Sequence, residues 1–238
     1  MPGPQRVIAC PKCKSLAKYA TLLSGNTFGA RMWTDGKRVA PMLPQPPAVV
    51  KCRACKECYW LSNAREIGTL DPWVTHGSDP AWISAQPVEE PDENDYYHAI
   101  AEGLGVKPDD ERNLRIFTWW RRNDAFRDSN DANSGNIENA SDRCRKNLNA
   151  LVNLLDDGGL NDRIMKAEVL RELGDFEAST EILGTLSSVQ HVPIVHRLRE
   201  LCEAEDTCVR GLHFDKVPPR PKPKRKKVES SQGRKGKK

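Results

Sequence analysis

Four of the eight cysteines form two pairs whose spacing is typical of a metal site. Cys10 is paired with Cys13 and Cys52 with Cys55, with two residues inside each pair and 38 residues between the pairs. Zinc prefers four ligands at the corners of a tetrahedron, about 2.3 Å from each thiolate sulfur. The spacing therefore predicts one structural Zn²⁺ in a closed four-cysteine site, because four protein thiolates leave no position for a substrate.

Cys58 supplies a third thiol beside the second pair, in the run Cys52-x2-Cys55-x2-Cys58. Cys52 and Cys55 are favoured as ligands because they mirror the first pair and follow a predicted strand. The alternative is that Cys58 replaces one of the two. A redox role is disfavoured, since no thioredoxin-like βαβ pattern surrounds either pair.

Basic residues are concentrated beside the predicted ligands. They are Arg6, Lys12, Lys14, Lys51, Arg53 and Lys56. Four thiolates around Zn²⁺ leave a net charge of about −2, and these bases are interpreted chiefly as compensation for that charge. The alternative is that they contact nucleic-acid phosphates.

The first 70 residues, which carry the predicted ligands, are expected to fold as a small zinc ribbon of short antiparallel strands. Asp35-Gly36 is typical of a tight hairpin turn in which both central residues adopt positive φ. Val49-Val50-Lys51 is predicted to return as a strand before the second cysteine pair. Between them, four prolines predict an extended run outside any sheet: Pro41, Pro44, Pro46 and Pro47.

Residues 24–30, 33–37, 40–44 and 51–52 read SGNTFGA, WTDGK, APMLP and KC, and residues 112–116, 119–120 and 123–124 read RNLRI, WW and ND. These two groups resemble a ribbon segment and a helical segment of uncharacterised bacterial zinc-ribbon proteins. The match covers about two thirds of the chain and excludes the basic tail. It departs at Lys14 and Lys56, where ribbon knuckles often have Gly. The resemblance implies an architecture and no activity.

Residues 71–92 are rich in Pro, Asp, Glu and Ser and are predicted to be a linker. The linker contains Trp73 and Trp82, which we expect to dock on neighbouring elements because each side chain has a large apolar area.

Residues 93–213 are predicted to be helical, because apolar residues recur at spacings of three and four. Asp109-Asp110-Glu111 places acids at the positive end of one helix. A second predicted stripe consists of Ile137, Ala140, Cys144, Leu148, Leu151 and Leu155. A last stripe consists of Ile194, Leu198, Leu201, Glu205, Val209 and Leu212.

One helical hairpin, at about 161–187, is similar to a tetratricopeptide repeat and turns at Gly174-Asp175. The residues that carry this similarity are Ile164, Ala167, Leu170, Gly174, Phe176 and Leu183. Only one such repeat can be recognised in the sequence, whereas a stable array generally needs three or more repeats. A plain helical hairpin is therefore the alternative.

Three other candidates for chemistry are interpreted as structural. A second metal site could be formed by the remaining cysteines, Cys144, Cys202 and Cys208, together with His191, His196 or His213. Their spacings match no standard ligand pattern, so these cysteines are interpreted as core residues. Trp119-Trp120 beside Arg121-Arg122 suits base stacking, but an aromatic pair on a periodic helix favours core packing. Residues 131–135 resemble the start of a calcium-binding loop, but their glycine stands at the fifth position of the loop and calcium loops have it at the sixth. We therefore interpret them as an ordinary polar loop.

The formal net charge of +4 is the sum of two opposed parts. Residues 216–238 contain 11 of the 37 Lys and Arg and one of the 33 acids, which gives +10 there and −6 over the other 215 residues. Residues 214–238 are therefore predicted to be a disordered basic tail. Such a tail suits contact with nucleic acid or an anionic surface, or solubility alone.

The expected fold class is α+β: the ribbon, the linker, the helical region and the tail. No apolar run reaches the length of a membrane span, the N-terminus lacks an apolar signal segment, and no catalytic or phosphate-binding motif is present. The sequence thus predicts a cytoplasmic, non-enzymatic zinc-binding adaptor whose helical region contacts a protein partner, with no small-molecule substrate. The alternative is a nucleic-acid-binding protein that uses the ribbon and the tail.

Overall fold

The computed structural model describes residues 1–71, 73, 77, 79–127, 135–186 and 192–212. The predicted basic tail lies outside these residues, as do His191, His213 and residues 131–134 of the candidate calcium loop. Within the described residues the fold is α+β, with short, mainly antiparallel strands followed by helices. The predicted fold class is therefore confirmed.

The largest sheet has four strands: β1 (Pro2–Ala9), β2 (Leu16–Leu22), β7 (Arg65–Leu70) and β8 (Gln86–Pro87). Their order across the sheet is β7-β1-β2-β8. β1 pairs antiparallel with both β2 and β7, whereas β8 runs parallel to β2. The connection from β1 to β2 is the first Cys-x2-Cys turn, so the metal ligands lie at one end of this sheet.

Four shorter strands complete the ribbon: β3 (Arg31–Trp33), β4 (Arg38–Val39), β5 (Val49–Lys51) and β6 (Cys58–Trp60). β3 and β4 form the predicted hairpin. Its turn differs from the prediction, because only Gly36 has positive φ, at 80°. Gly36 N–H donates to the Trp33 carbonyl at 3.0 Å and Trp33 N–H donates to the Lys37 carbonyl at 3.1 Å, so the hairpin loop has three residues, 34–36, and ends in a left-handed glycine.

Part of the predicted linker belongs to the ribbon sheet. Residues Pro80–Ser84 form helix α1, and the following strand β8 extends the sheet. Trp82 of α1 packs directly over Gly68, where an added Cβ would lie 2.2 Å from the indole ring. Trp73 is 81% exposed, so the expectation that it docks on a neighbour was wrong.

In the described part of the chain six helices follow: α2 (Glu93–Ala101), α3 (Pro108–Asp124), α4 (Asp142–Leu154), α5 (Leu160–Leu173), α6 (Phe176–Gly184) and α7 (Val192–Glu203). The acids predicted at the start of a helix occupy the first turn of α3. Ser141 caps α4 by accepting a hydrogen bond from Cys144 N–H. Ile137 and Ala140 therefore precede α4, although Ile137 still joins its buried stripe.

The turn between α5 and α6 follows the prediction. Gly174 caps α5 in the left-handed conformation, with φ of 86°, and Asp175 caps α6. Ser179 Oγ donates to the Ala167 carbonyl at 2.8 Å, which joins the two helices through a buried contact. The hairpin is thus present, whereas its similarity to a tetratricopeptide repeat stays a prediction.

The last predicted helix was too long. α7 ends at Glu203, and Glu205 adopts positive φ. Residues Gly211–Leu212 instead form strand β9, which pairs antiparallel with β3 of the ribbon. The helical region is therefore joined to the ribbon hairpin by backbone hydrogen bonds.

Ribbon and helices also share apolar contacts. Val49 of β5 is fully buried against Tyr96 of α2 and Leu114 of α3. None of the helices in the described part of the chain has the length and apolar content that a membrane crossing requires.

Candidate metal centre

The two Cys-x2-Cys segments have the same local structure. In the first, Lys14 N–H donates to the Cys10 carbonyl at 3.0 Å and Cys10 N–H donates to the Ser15 carbonyl at 2.9 Å. In the second, Lys56 N–H donates to the Cys52 carbonyl at 2.8 Å and Cys52 N–H donates to the Glu57 carbonyl at 2.9 Å. Each pair of thiols is therefore presented by an equivalent turn between two strands, and we call these turns the knuckles.

Both knuckles require a left-handed residue at their end. Lys14 has φ of 66° and Lys56 has φ of 65°, in the region that favours glycine. These are the two positions at which glycine was expected from the sequence. A lysine in this conformation carries backbone strain that a glycine would not carry.

The four predicted ligands lie together. Cys10, Cys13, Cys52 and Cys55 have sulfur atoms within 4.8 Å of one another, and they form the one group in the described residues that can hold a metal ion. The Sγ–Sγ distance is 3.8 Å between Cys10 and Cys55 and 3.5 Å between Cys13 and Cys52, and each of these pairs has one cysteine from each knuckle. Ligands about 2.3 Å from a tetrahedral centre are about 3.8 Å apart, so the sulfurs fit a four-thiolate shell.

The ligands differ in burial and in pKa. Cys10 and Cys52 are buried, whereas Cys13 is exposed. Hydrogen bonding from the Ser15 backbone lowers the pKa of Cys13 to about 7. Burial raises the pKa of Cys10, and it raises that of Cys55 to about 12. A bound cation must therefore displace protons from Cys10 and Cys55, which makes metal binding dependent on pH.

Cys58 lies outside this group. Its sulfur faces the Asp95 carbonyl at 3.9 Å, and burial raises its pKa to about 11. Its side chain packs with Trp60 against the buried residues Val49, Tyr96 and Leu114. Cys58 therefore contributes to the contact between ribbon and helices.

Most of the basic residues around the knuckles form ion pairs with carboxylates of neighbouring residues. Arg6 pairs with Glu66, Lys12 with Glu57, Lys51 with Asp95, and Arg53 with Glu89. Lys14 donates to the Pro11 carbonyl at 2.6 Å. Four of the six bases are thus held by neighbouring acids, and both interpretations of these bases, charge compensation and phosphate contact, stay predictions.

A buried charge network, formed by Asp35, Asn123, Arg127 and Glu172, joins the ribbon hairpin to α3 and α5. Asn123 Nδ2 donates to Asp35 Oδ2 at 3.1 Å and to Glu172 Oε1 at 3.1 Å, so one amide bridges two carboxylates. Arg127 Nη2 donates to Asp35 Oδ2 at 2.6 Å. Sequence reasoning missed this network, because Asp35 was interpreted as a turn residue only.

The network continues into a second buried pair. Arg171 and Glu168 are both 0% exposed and lie 2.7 Å apart. Arg171 also donates to the Cys208 carbonyl at 2.9 Å, which anchors the chain just before β9. Burial raises the pKa of Glu172 to about 8, and the nearby carboxylate of Glu168 acts in the same direction.

The other sequence candidates are structural. Cys144, Cys202 and Cys208 are all buried, which confirms their interpretation as core residues. Trp119 is 1% exposed, and its Nε1 donates to Glu172 Oε2 at 2.7 Å. Trp120 Nε1 donates to the Asp35 carbonyl at 2.9 Å. The tryptophan pair therefore supports the buried charge network, and Trp119 has no free face for base stacking.

Fold and site together define an α+β protein with two cysteine knuckles that can hold one metal ion. Comparisons with protein-family models, with curated proteins and with solved structures find no match for this chain.

Proposed function

We propose that this chain is a non-enzymatic adaptor protein whose ribbon is held together by one structural Zn²⁺. The observation that carries the proposal is the grouping of four cysteine sulfurs within 4.8 Å of one another, contributed by two equivalent knuckles. Four protein thiolates fill a tetrahedral shell, so the metal stabilises the fold and offers no open position to a substrate.

Zinc is the proposed metal because of the donor set. Thiolate-only tetrahedral sites suit zinc or iron, whereas harder cations such as Mg²⁺ and Ca²⁺ require oxygen ligands. The described cysteines form no disulfide. Reduced thiols are typical of proteins in a reducing compartment, which supports a cytoplasmic location.

The way the ribbon is fixed to the helices supports an adaptor role. Strand β9, the buried charge network and the contact of Val49 with Leu114 hold ribbon and helices in one arrangement. A partner can therefore recognise a surface built from both parts. The tetratricopeptide-like hairpin and the resemblance to bacterial zinc-ribbon proteins remain predictions within this proposal.

The alternative is that the chain binds nucleic acid through the ribbon and the tail, and the ribbon provides little evidence for it. Four bases beside the knuckles are paired with acids, so part of the positive charge there is offset. This alternative depends mainly on the tail, which lies outside the described residues.

An affinity experiment tests the adaptor proposal. The zinc-loaded chain is immobilised with and without residues 214–238, and lysate is applied with and without nuclease. We expect captured protein to survive nuclease treatment and tail removal and to be lost when zinc is chelated. Capture of nucleic acid alone, with binding that falls steeply with salt and requires the tail, contradicts the proposal.

A further inference from the structure

The edge of β2 is only half covered by the described chain. β8 pairs with β2 at two positions, Ala17 and Lys18, and Val88 N–H then donates to the Lys18 carbonyl at 2.9 Å. Beyond this point the chain turns away, and the Glu89 carbonyl accepts from Lys51 N–H instead. The remainder of β2, from Tyr19 to Leu22, has no neighbour on this side among the described strands.

In a β-strand the N–H and C=O groups of successive residues point alternately to its two sides, so the residues of β2 that face the open edge can be identified. The Lys18 carbonyl points toward β8, and Leu23 N–H points the opposite way, where it donates to the Met1 carbonyl at 3.1 Å. Successive residues alternate, so the N–H and C=O groups of Ala20 and Leu22 point to the open edge. In the part of the chain that the structure describes, no backbone group pairs with them there.

A groove runs along this open edge. Two adjoining cavities of about 300 and 340 Å³ share six lining residues: Tyr19, Ala20, Leu22, Pro44, Gln45 and Pro46. Tyr19 and Ala20 are consecutive and belong to opposite faces of the sheet, so the groove reaches the strand edge. Gln5 of β1, opposite Ala20, also lines the first cavity, which therefore extends over one face of the sheet as well. Leu23, at its end, is 68% exposed.

We propose that this groove binds an extended segment of a partner protein, which adds a strand beside β2. The inference rests on the proposed adaptor function and names where its partner binds. β8 already occupies the first part of the same edge, so the segment continues an existing ladder. Main-chain hydrogen bonds to Ala20 and Leu22 provide affinity, and alternate side chains contact the apolar wall of Pro44 and Pro46.

The chemistry of the groove selects the occupant. Among the residues that the structure describes, Lys18 is the one charged residue that lines the two cavities, and no described acid lines them. The segment is therefore neutral or acidic, apolar at alternate positions and without proline at the paired positions, because proline cannot donate to a ladder. The chain's own tail, with a charge of +10, finds no complementary acid there.

A second copy of the chain is a poorer occupant than a single segment. Its β2 would arrive together with its own β8 and its own Pro44–Pro46 segment, and both would have to fit beside the same short edge. A single extended segment meets no such obstruction.

The test uses random peptides displayed on phage and selected against the zinc-loaded full-length chain. We expect enriched peptides with alternating apolar residues and no net positive charge. Ala20→Pro removes the N–H that faces the groove and leaves the bonds to β1 intact, so it should weaken binding at least tenfold. Ala20→Thr keeps this N–H and should bind as the wild type does. Zinc content and circular dichroism show that both variants fold.

Amide exchange provides a second readout. Binding of a selected peptide should protect the amides of Ala20 and Leu22 from exchange in the wild type. Absence of any enriched peptide, or equal binding by Ala20→Pro without this protection, overturns the proposal. Self-association that Ala20→Pro abolishes assigns the edge to a second copy, and protection of these amides in the peptide-free chain that is lost on removing residues 214–238 assigns it to the tail; either result overturns the proposal.

The same variant separates this inference from the proposed function. If a lysate partner binds Ala20→Pro as strongly as the wild type, the adaptor function stands and the groove is excluded as its site. If no protein partner binds either form, the adaptor function itself fails.

Discussion

Asp35 and Arg127 form a buried ion pair between the ribbon hairpin and the end of α3, with Arg127 Nη2 2.6 Å from Asp35 Oδ2. The two side chains are 0% and 4% exposed, and the guanidinium also lies 4.8 Å from the centre of the Trp33 ring. Arg127 Nε also lies 2.8 Å from Asp124 Oδ1, whose side chain is 25% exposed, so Asp35 is the fully buried partner of Arg127 and the two buried charges depend on each other.

Asp35→Ala should therefore destabilise the protein by about 3 kcal/mol, the lower end of the range for breaking a buried ion pair, since Arg127 keeps its ion pair with the partly exposed Asp124. Adding Arg127→Met should recover part of this loss. Urea unfolding of the two single variants and the double variant measures the coupling. The exposed pair Arg6–Glu66 is the control, because Glu66→Gln should cost less than about 1 kcal/mol. Strictly additive losses for Asp35 and Arg127 would contradict the coupling.

Glu172 should make stability depend on pH. Burial raises its pKa to about 8 in the folded chain, whereas an unfolded glutamate has a pKa of about 4.3. The folded state binds the extra proton between these values, so the free energy of unfolding falls as pH rises through this window, by at most about 1.4 kcal/mol per pH unit.

Glu172→Gln removes this proton and keeps an acceptor for Trp119 Nε1. Unfolding of the zinc-loaded wild type and variant should be measured from pH 5 to pH 8. We expect the wild type to lose stability relative to the variant as pH rises. Parallel profiles would show that Glu172 does not change its protonation on folding.

The metal ligands should be separable from Cys58 by single substitutions. Cys52→Ser should abolish zinc binding and increase hydrogen exchange across residues 1–70, because the site closes the ribbon. Cys58→Ser should retain zinc, since the Cys58 sulfur faces the Asp95 carbonyl. Elemental analysis and exchange mass spectrometry measure both effects. Loss of zinc from Cys58→Ser, or its retention by Cys52→Ser, would contradict the assignment.

Glycine at the strained knuckle position should stabilise the ribbon. Lys56 has φ of 65°, so Lys56→Gly relieves strain that exceeds the entropy cost of glycine, with an expected gain of up to about 1 kcal/mol. Ala54→Gly, in the same turn without positive φ, should cost about 0.5–1 kcal/mol. Denaturant unfolding of the zinc-loaded proteins distinguishes the two. Effects of the same sign would show that strain at Lys56 is negligible.

The features that the sequence predicted correctly depend on local interactions. The Cys-x2-Cys knuckles, the strand Val49–Lys51 and the Gly174 turn each follow from residues within a few positions of one another. Their physical causes, which are ligand spacing, β-branched side chains and a left-handed glycine, are visible in a short window.

The features that were missed depend on distant residues. Asp35 and Arg127 are 92 positions apart, and Arg210 N–H donates to Thr34 Oγ1 across 176 positions. The apolar spacing of Val209 and Leu212 continued the α7 pattern, yet pairing with β3 determines the conformation of Leu212. A single sequence contains no signal that identifies such partners.

The pairing of β3 with β9 has a consequence for synthesis on the ribosome. Both knuckles are complete once Cys55 has left the exit tunnel, so a metal ion can close them while most of the chain is untranslated. Strand β3 pairs with β4 early, but it receives its second partner, β9, only when Gly211 and Leu212 emerge. Metal loading can therefore precede the final docking of the hairpin.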